Sequence, residues 1–150
     1  MGYDVFRADS ALENKGVWMD YAQGFRVLLA RAGGTNSRYA KVAEAKLKPV
    51  RRALKAGLMS TKAGDKVLLE IFAASVILDW EIEVVEKGKT VWKKGIEDPE
   101  TGEVLKPSPE SYIKVLSHPE LMDLWTAIQG DATDLAIFLK DIRAVEAKNS

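Results

Sequence analysis

The amino-acid sequence predicts a mainly α domain of the α+β kind: a helical body with a short N-terminal β-hairpin and a β-hairpin insertion around residues 82–106. Three observations predict it. Apolar residues recur in steps of three and four over 37–57 and again from Leu121 onward, the spacing that lines one face of a helix. Residues 71–78 are apolar nearly all the way round, as in a helix buried at the centre of a domain. Residues 82–106 instead alternate Val, Ile and Trp with charge between two turn signals, which is the period of a strand.

Taken in order, residues 1–15 mix charge, Asp, Ser and Asn without sustained periodicity and read as a flexible N-terminal arm, leaving 16–150 as a single mainly helical domain. Val17-Trp18-Met19 and Phe25-Arg26-Val27-Leu28-Leu29, parted by a polar stretch ending in Gly24, read as a hairpin that Gly33-Gly34 closes. From Ser37 to Gly57, Tyr39, Ala43, Leu47, Val50, Leu54 and the following Leu58 share one helical face, while Arg38, Lys41, Lys48, Arg52 and Lys55 fall on roughly the other. Pro49 inside this pattern costs an unbroken helix about 3 kcal/mol, so a kink or break is expected near Lys48. Ser60 or Thr61 caps a second helix, expected to run to Trp80. Ser108-Pro109-Glu110 is a helix start, and a final helix is expected from Pro119, with Leu121, Trp125, Ile128, Ala132, Leu135, Leu139 and Ile142 along its seam.

A chain of 150 residues with 47% hydrophobic content is enough for one self-supporting core. It has no cysteine, which excludes disulfides, thiolate metal sites and cysteine nucleophiles. Lys+Arg and Asp+Glu both number 22, yet residues 1–75 hold 13 basic and 7 acidic side chains against 9 and 15 in residues 76–150, a split of +6 and −6. Such a dipolar chain pairs its halves internally or stacks head to tail with copies of itself, so a homo-oligomer is among the expected assemblies. The first residues carry no basic and apolar signal region, and the most apolar window falls well short of the roughly 20 residues that span a bilayer. No membrane association is expected.

The usual instruments of catalysis are absent from the sequence. His118 is the only histidine and reads as a helix-end residue beside Pro119. Glycine-rich phosphate loops and nucleophile-elbow motifs are missing. The carboxylates Asp79, Glu81, Glu83, Glu86, Glu97, Asp98, Glu100 and Glu103 do not match the spacing of a calcium loop and read as solvated hairpin residues. Neither enzymatic activity, a cofactor nor a bound metal is expected. The basic stripe Arg38, Lys41, Lys48, Arg52 and Lys55 raises nucleic-acid binding as an alternative, but no aromatic platform interleaves with it and the other half of the chain is acidic. It reads instead as a solvated helix face or as one that meets the acidic half of the same or a neighbouring molecule, which makes its five cations candidate protein-binding residues. Trp80 and Trp125 read as core, whereas Trp18, Phe25 and Trp92 on short strands are the aromatic candidates for protein binding.

Several local signatures resemble a family of tail assembly chaperones from long-tailed bacteriophages and prophages. They are Gly-Val-Trp at 16–18, Gly24-Phe25, Leu29-Ala30-Arg31-Ala32-Gly33, Arg38-Tyr39, Leu47-Lys48-Pro49-Val50-Arg51-Arg52, Leu78-Asp79-Trp80-Glu81 with the acidic turn that follows, and Ser108-Pro109-Glu110. Relative to that family, residues 82–95 look like an insertion. The resemblance implies a mainly helical protein, made in the cytoplasm of the infected bacterial host, that binds the tape measure protein, keeps it soluble and helps tail tube protein polymerise around it. Two alternatives stand beside it: a virion structural subunit such as a tail or head-tail adaptor, and a nucleic-acid-binding protein using the basic helix 38–55.

Overall fold

A computed structural model describes residues 2–22 and 24–141. Short polar side chains set where its helices begin, by accepting backbone N–H groups that the first turn leaves without partners. Asp9 does this for α1 (Ser10–Lys15), which leads into the hairpin of β1 (Val17–Ala22) and β2 (Phe25–Leu29). Asn36 starts α2 (Ser37–Leu47), and its amide also donates to the carbonyls of Arg31 and Ser75, tying three segments together. The break at Pro49 falls where the sequence places it: α2 gives way to a 3-10 turn, Lys48–Val50, and then to α3 (Arg51–Lys55). Ser60 caps α4 (Thr61–Ser75).

The chain then becomes strand, β3 (Ile77–Glu86) and β4 (Lys89–Lys94), joined by a two-residue turn with Lys87 and Gly88 both at positive φ. A smaller pair follows, β5 (Ile96–Glu97) and β6 (Val104–Leu105). Gly95 is required between the two sheets, since a Cβ there would lie 2.6 Å from a Val104 methyl. Ser108 and Pro109 open α5 (Pro109–Leu116) as read from the sequence. His118 caps a 3-10 turn, Pro119–Leu121, that runs into α6 (Met122–Thr133).

The class expected from the sequence is corrected here. Helix accounts for 50% of the described residues and strand for 24%, so the fold is α+β and not mainly α. The two hairpins are not separate appendages: β1, β2, β3 and β4 form one antiparallel sheet in that order. The helix expected to reach Trp80 stops at Ser75, whose hydroxyl bonds back to the Ile71 carbonyl, and β3 pairs with β2 from Ile77 opposite Leu29. Tertiary pairing decides the matter, because β-branched Val76 and Ile77 serve a buried strand as well as a buried helix. The final helix is shorter too. Asp134 accepts from Ala136 N–H and starts a separate 3-10 turn, Leu135–Phe138, after which Leu139 bridges to Ala8. Ile142 lies outside the described residues. Of the expected arm, residues 10–15 form α1, and Glu13 is 0% exposed.

The core lies between the inner face of the large sheet and the helices. Val27, Leu29, Val76, Trp80 and Ile96 meet Phe72, Tyr112, Val115, Trp125 and Ile128 there. Phe72 on α4 is met edge-on by Tyr39 of α2 at 6.4 Å and by Trp125 of α6 at 5.1 Å, which places α4 between those two helices. Burial alone would raise the Glu13 carboxyl, but hydrogen bonds from Arg31 and Thr35 and the guanidinium charge outweigh it and hold it below the usual carboxylate range.

Candidate protein-interaction surface

Alternation along β2 sends Phe25, Val27 and Leu29 to the core and Arg26 and Leu28 to the outer face. On that outer face each strand of the sheet contributes one side chain to a single cluster. The Arg26 guanidinium lies over the Trp18 ring of β1 at 4.6 Å and over the Trp92 ring of β4 at 4.4 Å. Its Nε and Nη2 donate to one carboxylate oxygen of Glu81, directly opposite on β3, at 2.8 and 2.6 Å. The cation is thus neutralised by Glu81 and held against the faces of two indoles, whose quadrupoles attract it. Trp92 remains 36% exposed. The product is an ordered cluster of aromatic ring and guanidinium, built from the residue types that dominate protein-binding hot spots.

The structure therefore joins two of the three aromatic candidates and separates the third. Phe25 is on the inner face, stacked between Tyr21 at 6.3 Å and Trp80 at 5.6 Å, and it lines a cleft of about 520 Å³ between the sheet, the β5 turn and the start of α6. The basic candidates sit elsewhere: Arg38 and Lys41 on α2, Lys48 on the 3-10 turn, Arg52 and Lys55 on α3, all exposed. Trp80 and Trp125 are buried, Trp80 on a strand instead of the expected helix. Arg26 and Glu81 escaped the sequence reading. A lone arginine within Phe-Arg-Val-Leu-Leu was the available signal, since a charge in an apolar strand needs a partner.

The acidic side chains of 79–103 are dispersed among separate partners: Asp79 with Lys94, Glu81 with Arg26, Glu86 with Lys93, and Asp98 with Lys114 at 3.3 Å. Among the described residues they form no group of three fit to hold a metal ion. His118 accepts from Glu120 N–H through Nδ1, the helix-end role read from the sequence. Among the described residues no helix is long and apolar enough to cross a membrane.

Fold and surface together define a small α+β domain that presents a preordered tryptophan–arginine face on an antiparallel sheet. A family model described as YdaY prophage protein matches residues 34–149, and the chain belongs to that family. It is a phage-associated protein. The matched range includes Glu81 and Trp92 and begins after Trp18 and Arg26. No curated protein and no solved structure matches the chain.

Proposed function

We propose that this prophage protein is a tail assembly chaperone. In this reading it binds the tape measure protein through the Trp18–Arg26–Trp92 face, keeps that long, partly hydrophobic chain soluble and promotes polymerisation of tail tube protein around it, in the cytoplasm of the infected host. It works by contact and catalyses nothing. The observation that carries the reading is the ordered outer face itself. Trp92 keeps 36% of its surface exposed, and folding has already fixed both rings against Arg26, so little ordering cost remains to be met on binding. A tryptophan–arginine face of this kind suits contact with a long helix that carries apolar residues.

The test is co-expression with the very long helical protein encoded by the same prophage. The wild-type chain should raise the soluble fraction of that protein, and Trp18→Ala/Trp92→Ala should not. No effect of the wild type would sink the reading. Mass spectrometry of purified particles addresses the structural-subunit alternative, because an assembly factor should be absent from finished virions.

A further inference from the structure

We infer that the chain binds double-helical DNA by its phosphate backbone, along a basic stripe on the outward side of α2, the Pro49 turn and α3. This goes beyond the chaperone reading and uses none of the tryptophan face.

The stripe is Arg38, Lys41, Lys48, Arg52 and Lys55, whose steps of three, seven, four and three keep to one side of a helical segment. All five are exposed, and none makes an ion pair among the described residues. Tyr39, Val42, Ala43, Leu47, Val50 and Ala53 fall between them and are half-buried, on the side where Tyr39 meets Phe72 of α4. The stripe therefore points away from the body of the domain. The two other cations of the segment turn aside to partners: Lys46 approaches Glu70 at 3.8 Å and Arg51 donates to Glu44 at 2.9 Å. Glu44 is the one acid between residues 37 and 64, so that pairing engages the nearest anion in the sequence and leaves the stripe uncompensated.

The acidic half of the chain does not cover the stripe either. Asp79, Glu81, Glu86 and Asp98 pair with cations of the sheet and α5 instead. The charge balance of the whole sequence thus conceals a surface that stays positive after folding.

The chemistry of the stripe selects its partner. Five cations lie along about 26 Å of helical segment at about 1.5 Å per residue, and duplex DNA offers such a row about one negative charge per 1.7 Å of axis. No aromatic side chain belongs to the stripe, so it lacks the stacking platform on which a single strand is held. It also lacks the apolar residues that a lipid-surface helix buries. The exposed Leu54 adjoins Lys55 and so faces another side, and the exposed Leu58 lies past the turn at Gly57. Contacts of this kind reach phosphates alone, so binding is independent of base sequence.

Fluorescence anisotropy of the full chain with a labelled mixed-sequence duplex of about 20 base pairs tests this. Five phosphate contacts give a slope of log K against log salt near about −4.5, which is a roughly five-hundredfold loss between about 0.05 and 0.2 M. Arg52→Ala/Lys55→Ala should flatten that slope by about 2 and weaken binding to every sequence alike. Lys15→Ala/Lys89→Ala removes the same charge from exposed positions on α1 and β4 and should leave affinity and slope unchanged. Alanine suits exposed helix positions, and thermal melts by circular dichroism check that both variants fold. No binding at about 0.05 M salt overturns the inference, as does an equal loss in the two double variants, which would report net charge and not the stripe. Tighter binding to the single strand than to the duplex overturns it, and so does uptake onto phosphatidylglycerol vesicles with none onto the duplex. Arg52→Ala/Lys55→Ala should still raise the soluble fraction of the tape measure protein, so the stripe and the chaperone reading stand or fall separately.

Discussion

The large sheet carries an aromatic row on each face, and the two rows differ in what covers them. On the inner face Tyr21, Phe25 and Trp80 stack in sequence and Tyr112 of α5 closes the row at 6.1 Å from Trp80. On the outer face Trp18 and Trp92 enclose only the Arg26 guanidinium. Trp80 and Tyr112 of the first row are buried, so their apolar area is withdrawn from water and stabilises the fold. The second row is ordered but left open, so part of its area is still available to a partner. Residue type does not separate a core aromatic from a contact aromatic; the covering layer does.

That contrast can be broken by mutation. Trp80→Ala should cost about 3–5 kcal/mol in urea unfolding, the range for emptying an aromatic site in a core; a loss below about 1 kcal/mol would remove the inner row from the core. Glu13→Gln tests a buried charge away from both rows and should cost about 1–3 kcal/mol, since the amide leaves one acceptor oxygen where Arg31 and Thr35 had two and removes the charge facing Arg31. The Glu13 carboxyl is held below its unfolded value, so its contribution is present above about pH 4.3 and is lost as pH falls through the folded value. Wild type and Glu13→Gln should therefore converge in stability below about pH 4.

On the outer face the order of effects should invert. Trp92→Ala should cost less than about 1 kcal/mol of stability yet weaken tape measure binding roughly tenfold or more in titration calorimetry. A stability loss equal to that of Trp80→Ala would mean the outer row is a second core. The smallest effect belongs to Tyr21. Burial pushes its hydroxyl pKa up, with the Asp131 carboxylate adding to the effect, yet no hydrogen bond of ordinary geometry satisfies that buried oxygen. Tyr21→Phe should accordingly be neutral or raise stability by up to about 1 kcal/mol in the same urea assay.

Local punctuation was legible in the sequence: the Val17 to Leu29 hairpin, the break at Pro49, the Ser108-Pro109 helix start and the burial of Trp125. Trp18 and Trp92 were legible as contact candidates because exposed-strand tryptophans are uncommon enough to notice. Their meeting was not. Arg26 finds Glu81 55 positions away, and only the pairing of β2 with β3 sets that register. The run Val76 to Trp80 was misread for the same reason, since a segment apolar on every side satisfies helix and buried strand alike until a neighbouring strand supplies hydrogen bonds.

What the sequence by itself determined is the hairpin before Gly33, the break at Pro49 and the helix starts at Ser60 and Ser108, together with the stock of charge and aromatic surface, because those depend on residues within a few positions of one another. Tertiary structure alone decided that two hairpins merge into one sheet, that Glu13 is buried and that an arginine from one strand lies between tryptophans of two others. Contacts of that kind join residues far apart along the chain, and no local periodicity encodes them.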